Sequence, residues 1–221
     1  PYIFISAIFL TRYEWCLLSA YRLEDYTKVY PIARGTAPIF IVTLSLLLFN
    51  VSVSKFELMG ILAISFGIII LSFQNNRNFK NYSAVVYALS TGIFISFYSI
   101  SDGYGGRVSN SPLNYTAWLM ILNAVIFPIL LIIMNKQEAV KKVFREEKKI
   151  FFIGGTLSYI VYGTIIWAFT QAPVPLVAAL REISIIFALL IGAIFLNEKL
   201  NILKISAVLT IFFGVILLKF F

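Results

Sequence analysis

Residues 31–73 read PIARGTAPIFIVTLSLLLFNVSVSKFELMGILAISFGIIILSF, and residues 178–220 read AALREISIIFALLIGAIFLNEKLNILKISAVLTIFFGVILLKF. Moved forward by 147 positions, the first stretch lies on the second without a gap. Arg34 falls on Arg181, Asn50 on Asn197, Gly67 on Gly214 and Phe73 on Phe220. Leu and Ile coincide readily between any two oily segments, so the arginine, asparagine and glycine carry the signal. An arginine inside a bilayer helix costs at least ~2.5 kcal/mol. Two at matching positions point to a site.

The surrounding composition sets the solvent. Hydrophobic residues make up 60% of the chain and charged residues 13%, against about 25% charged in soluble domains. Eight apolar stretches, at about 2–21, 30–49, 57–73, 82–101, 113–134, 150–170, 175–196 and 202–219, each approach the ~20 residues that cross a ~30 Å hydrocarbon core. They show no period-2 alternation and exceed the ~10 residues of an outer-membrane strand. The expected fold is therefore all-α, a polytopic membrane helix bundle. The boundary between repeats falls near Gln74–Asn81, giving a partial first repeat of about three helices (1–75) and a second of five (82–221). Internal repeats with interrupted helices are the sequence mark of secondary transporters.

Histidine is absent and Cys16 is the only cysteine. This excludes an intrachain disulfide, a Cys/His metal site and histidine-based catalysis, and no cofactor is expected. The net charge of +8 sits in short loops, where it speaks for topology and membrane-lipid contact and not for nucleic acid. Alternate loops differ sharply. One side holds twelve basic residues: Arg22, Lys28, Arg77, Lys80, Lys199, Lys204 and six from the 135–149 loop. The other holds three, Lys55, Arg107 and Lys219. The positive-inside rule makes the first side cytoplasmic, with both chain ends outside. The 135–149 loop, where Lys141, Lys142, Arg145, Lys148 and Lys149 alternate with Glu138, Glu146 and Glu147, reads as a connector with a short surface helix against anionic lipid.

Several strings occur together: Ala20-Tyr21-Arg22 with Asp25; Tyr30-Pro31-Ile32-Ala33-Arg34-Gly35 with Pro38; Asp102-Gly103 with Gly106-Arg107; Trp167-Ala168 with Ala172-Pro173; and Val177-Ala178-Ala179-Leu180-Arg181-Glu182, continued by Gly192 and Leu196-Asn197-Glu198-Lys199-Leu200. Over essentially its whole length the chain resembles an EamA-type permease of the drug/metabolite transporter superfamily, in a largely uncharacterised bacterial branch. The resemblance implies ten helices in two inverted five-helix repeats around a central cavity, in the inner (cell) membrane. The fit begins at the family's third helix, so the chain, which starts at Pro1, reads as a fragment lacking the first two. The same resemblance implies cytoplasmic termini, the reverse of the charge count.

Arg34 lies roughly 6–8 Å inside its helix at about 1.5 Å per residue. Pro38, four residues on, deprives the Arg34 carbonyl of its helical partner, so a kink or break is expected there. Irregular backbone at membrane depth survives only within protein or beside a water-filled cavity. Arg181 enters its own helix to a similar depth from the opposite face. The two guanidinium groups then either grip a carboxylate, phosphate or phosphonate through fork-shaped hydrogen bonds, or neutralise buried acids and snorkel. Glu182, about 100° round the helix from Arg181, is expected to pair with another helix.

Arg12 and Glu14 sit mid-span, where charges are rare and usually functional. Glu14 is the candidate for proton coupling, with an ion pair to Arg34 or Arg181 as the structural alternative. Tyr30, Tyr98, Tyr159, Tyr162 and Trp167 are candidate pocket aromatics. Tyr159 and Trp167 read as one stripe with Gly155 and Gly163. Gly60, Ala63 and Gly67, with Ala207, Thr210 and Gly214, form small-residue tracks that suit a packing seam or a homodimer contact. The glycines of 102–107 read as a turn leaving the membrane.

The leading functional expectation is a secondary transporter of a small polar, anionic or zwitterionic metabolite, working by alternating access. A lipid-carrier flippase is the alternative. An enzyme is the weakest reading, because an intramembrane aspartyl protease needs two aspartates and both Asp25 and Asp102 read as helix ends. No Walker-type phosphate loop is present, so the chain does not itself hydrolyse ATP.

Overall fold

The computed structural model describes residues 1–73, 81–195 and 201–220. The string Leu196–Leu200, the Gln74–Lys80 part of the repeat boundary and the loop charges Arg77, Lys80 and Lys199 lie outside the described residues. The helices are α1 (Tyr2–Leu23), α2 (Tyr26–Phe49), α3 (Lys55–Ile70, continued by a 3-10 turn Leu71–Phe73), α4 (Tyr82–Val108), α5 (Pro112–Ile133), α6 (Gln137–Glu146), α7 (Lys148–Gln171), α8 (Val174–Arg181), α9 (Ser184–Phe195) and α10 (Ile202–Phe220). Taking α8 and α9 as one span, eight segments among the described residues are long and apolar enough to cross a membrane.

Local chemistry sets several of these boundaries. Asn50 ends α2 in the left-handed region, with φ of 48°. Ser54 opens α3 with a capping box: its hydroxyl accepts the Glu57 N–H at 3.1 Å, and the Glu57 carboxylate accepts the Ser54 N–H at 2.6 Å. Two otherwise orphaned donors are thereby satisfied at the membrane edge. Apolar side chains such as Trp118, Ile121, Ile153, Leu157 and Phe213 are exposed on the outer faces, as expected where lipid replaces water. The short helix α6 occupies the basic loop, where the charge pattern places one.

The seam between α3 and α10 organises the bundle. Gly60 faces Gly214, and Gly67 faces Ala207 and Ile211. The 147-residue offset interchanges these two contacts. Residue numbers rise along α3 as they fall along α10, so the helices cross antiparallel, the relation of inverted repeats. A Cβ on Gly60 would stand 2.8 Å from the Gly214 carbonyl oxygen, and one on Gly214 would stand 2.7 Å from the Gly60 oxygen. The small-residue tracks are thus an internal seam. Val42, Ile61, Ile64, Ile68, Ala179, Ile185, Ala207 and Ile211 form the core around it.

Two expectations about helix continuity are corrected. Helix α2 runs unbroken through Pro31 and Pro38, so the prolines do not interrupt it. The interruption lies at the equivalent place in the other repeat, at Glu182–Ile183. There the N–H groups of Glu182, Ile183, Ile185 and Ile186 each bond three residues back; the tightened turn separates α8 from α9 without any proline. The Asp102–Arg107 stretch is not a turn either, since α4 continues to Val108. Its glycines are points of close approach: a Cβ on Gly103 would overlap Val174, one on Gly105 would stand 2.5 Å from the Tyr115 hydroxyl, and one on Gly106 would stand 2.8 Å from Ile166. In a membrane bundle glycine serves close packing as readily as it ends a helix.

Candidate functional site

A cavity of about 630 Å³ opens between α1, α2, α4, α5, α7 and α8. Its wall includes Tyr13 and Glu14 from α1, Arg34 from α2, Tyr98 from α4, Asn123 from α5, Tyr159 and Tyr162 from α7, and Arg181 at the end of α8. The lining reaches Phe151 in the first turn of α7, next to the basic loop. Six elements distant in sequence therefore present polar tips to one space.

The two repeat-related arginines meet at Glu182. Arg181 Nε donates to Glu182 Oε1 at 3.2 Å, and Arg34 Nε lies 3.3 Å from Glu182 Oε2. Glu182 is fully buried, while the Arg34 and Arg181 side chains are 17% and 8% exposed. The 3.3 Å approach is an ion pair without hydrogen-bond alignment: Arg34 Nε, Arg181 Nη2 and Glu182 Oε2 are buried with no hydrogen-bond partner. The Tyr30 ring stacks under Arg34, 5.7 Å from Cζ to the ring centroid. Glu182 reaches another helix as helical geometry suggests, yet it also touches its own neighbour. Cβ directions diverge by about 100° on a helix, but two long side chains can fold back across that angle.

Glu14 is held by an amide and not by either arginine. Asn123 Nδ2 donates to Glu14 Oε1 at 2.9 Å, and Thr11 donates to Asn123 Oδ1 at 3.3 Å. The other carboxylate oxygen, Oε2, is buried without a hydrogen-bond partner. Arg12, two residues earlier, is exposed on the outer face of α1.

The aromatic candidates divide. Tyr98, Tyr159 and Tyr162 line the cavity, and Tyr159 also donates to the Leu113 carbonyl at 3.3 Å. Tyr30 borders a second, lateral cavity of about 440 Å³ with Leu71, Ile185 and Lys204. Trp167 is 54% exposed and is not part of the cavity wall. Eight residues at about 100° each overshoot two full turns by roughly 80°, so Tyr159 and Trp167 do not share a face. Gly155, four residues from Tyr159, does remain on the cavity side.

Sequence reasoning missed Tyr13, Asn123 and the buried cluster behind Tyr162. Asp102, expected at a helix end, is fully buried inside α4. It accepts hydrogen bonds from Tyr115 OH at 2.9 Å and from Tyr162 OH. Asp25 caps the start of α2 and is exposed, so two aspartates do not come together as an aspartyl protease requires.

This arrangement defines an all-helical, multi-pass membrane protein with a charged, aromatic-lined cavity within its bundle. The EamA-like transporter family matches residues 82–220, and the chain belongs to that family. Members of the family are membrane transporters. A protein of known crystal structure shares the fold with a TM-score of 0.76 at 16% identity, over 99% of this chain and 77% of the other. No curated protein matches the chain by sequence.

Proposed function

We propose that the chain moves a small polar metabolite, anionic or zwitterionic, across the bacterial inner membrane by alternating access, with the cavity as its binding site. One observation carries this reading: Arg34 and Arg181, contributed by equivalent positions of the two repeats, converge on one cavity with buried N–H groups that no protein acceptor satisfies. Buried donors of that kind favour an acceptor supplied from outside. Residues 1–75 and 82–221 act as the two halves that rock about the site, hinged on the α3–α10 seam. Glu182 holds the guanidinium groups between transport events, Tyr30 supports Arg34 from behind, and Tyr159 contributes a hydroxyl to the wall. Glu14, with one carboxylate oxygen unpartnered, is the coupling acid at the cavity surface. Trp167 belongs to the lipid-facing surface.

The test is substrate exchange in proteoliposomes, using a panel of radiolabelled carboxylates and amino acids. Arg34→Lys and Arg181→Lys keep the charge and remove the fork, so each should weaken affinity by about tenfold or more. Unchanged affinity in both variants would reject two-armed recognition. Phospholipid-headgroup scrambling in the absence of metabolite exchange would favour a flippase instead.

A further inference from the structure

Asp102 has no part in the anion site, yet its surroundings are built around it. It is fully buried in α4, and α5 and α7 each aim a phenol at it: Tyr115 to Oδ1 and Tyr162 to Oδ2. The serine Ser6 on α1 lies beside it without an aligned hydrogen bond. The charge that acts on it from α8 is Arg181, and Tyr98 interacts with it from its own helix. An acid at this depth is costly and usually functional. The two phenols differ in what else they touch. Tyr115 is buried at 4% exposure among Ala7, Leu119 and Ile166. Tyr162 lies on the cavity wall and stacks edge-on against Tyr98, with ring centroids 6.3 Å apart. Tyr162 is thus the hydroxyl that touches both the carboxylate and the cavity.

We propose that Asp102 is a proton-holding site, separate from Glu14, loaded from the cavity through the Tyr162 hydroxyl. In the loading step a hydronium ion in the cavity gives a proton to the Tyr162 oxygen as the original Tyr162 O–H bond breaks and its proton forms an O–H bond on Asp102 Oδ2, so no phenolate is left behind. The balance is one hydronium and one carboxylate consumed, one water and one carboxylic acid formed, with Tyr162 regenerated. The site is tied to the proposed anion site through Arg181. An anion bound there offsets the positive charge near Asp102, so anion binding and proton uptake favour each other, and the coupling is reciprocal. That last link rests on the proposed function; the proton site itself does not.

The experiment uses the full chain in lipid bilayers and needs no substrate. Infrared difference spectra across a pH titration report the carbonyl stretch of protonated carboxyl groups. A carboxyl band should titrate in the native protein, vanish in Asp102→Asn and persist in Glu14→Gln. In Tyr162→Phe the band should remain, but its exchange with D₂O should slow by about 10²-fold, the low end of what a positioned proton donor supplies. If no titrating band depends on Asp102, or if it exchanges equally fast in Tyr162→Phe, the proposal is overturned. If Asp102→Asn fails to fold, the persistence of the band in Glu14→Gln together with its exchange rate in Tyr162→Phe decides the matter. Adding acetate then tests the link: an upward shift of the Asp102 band in pH supports the coupling. A band that titrates but ignores acetate rejects the coupling and points to failure of the anion-site reading instead.

Discussion

Neutralising Glu182 should expose what the arginine pair is built to do. The carboxylate lies 3.2 and 3.3 Å from the two guanidinium Nε atoms. At an effective dielectric of about 20, each attraction is worth roughly 5 kcal/mol, largely offset by the cost of burying the ions. The net cost of leaving buried charges unpaired is better set at about 3–5 kcal/mol. For a chain of this size roughly 2–4 °C is lost per kcal/mol, so Glu182→Gln should melt roughly 6–20 °C below the native protein. The same change frees both guanidinium groups for an external acceptor. Acetate at about 100 times its dissociation constant would restore roughly 2.7 kcal/mol, so the variant should regain much of its melting temperature in acetate, whereas the native protein should gain little. Thermal unfolding of purified protein followed by tryptophan fluorescence, with and without acetate, measures both effects. The double variant Arg34→Gln/Glu182→Gln keeps one arm and should recover less. A Glu182→Gln protein that melts like the native one, or that acetate does not rescue, would falsify the view that Glu182 stands in for a bound anion.

Other sites give sharper yes-or-no outcomes. Gly60→Leu puts a side chain into the Gly214 backbone and should cost about 1–3 kcal/mol or prevent folding. Gly154→Ala, where an added Cβ meets nothing within 4 Å, should elute and melt as the native protein does. Trp167→Leu should leave exchange within about twofold of native, since the ring lies off the cavity; a loss comparable to that in Arg181→Lys would put Trp167 back in the site. Arg107 Nε and Nη2 donate at 2.9 Å to the carbonyls of Phe169 and Ala172, closing the far end of α4 onto the end of α7. Arg107→Gln should weaken that closure by about 1–3 kcal/mol, detectable as faster labelling of a cysteine placed at Gln171.

Most of the fold was legible because the bilayer leaves few choices. Each apolar run became helical, the 175–196 run as two helices, with outer boundaries mostly within four residues. The exceptions are instructive. Gly103, Gly105 and Gly106 looked like a turn, because glycine supplies no signal that separates a chain reversal from close helix packing. That misreading moved Asp102 from the protein interior to a helix end and hid the buried cluster. Pro38 drew the expected break to α2, yet the break lies at Glu182–Ile183, where no residue type announces a tightened turn. Arg34 and Arg181 were readable from the repeat, because a buried charge has to have a reason. Tyr13 and Asn123 were not, since one tyrosine among twelve carries no mark of the face it occupies.

The repeat also explains why the site is not symmetric. Glu182 falls on Gly35 under the 147-residue offset, and the two positions do different work. Gly35 lets α2 approach α3 closely: an added Cβ would stand 2.7 Å from Ile69 Cγ1 and 3.0 Å from the Ser65 carbonyl oxygen. Its counterpart carries a fully buried carboxylate that lies against both Arg34 and Arg181. A strictly symmetric pair would place two guanidinium groups together with nothing between them, which burial penalises heavily. With Glu182 the triad carries one net positive charge, and a single carboxylate neutralises it. A dianion would leave the low-dielectric chamber with an excess negative charge unless a proton entered with it. The scaffold thus supplies two arms by duplication, and the departure at Gly35/Glu182 sets the charge that the bound group has to match.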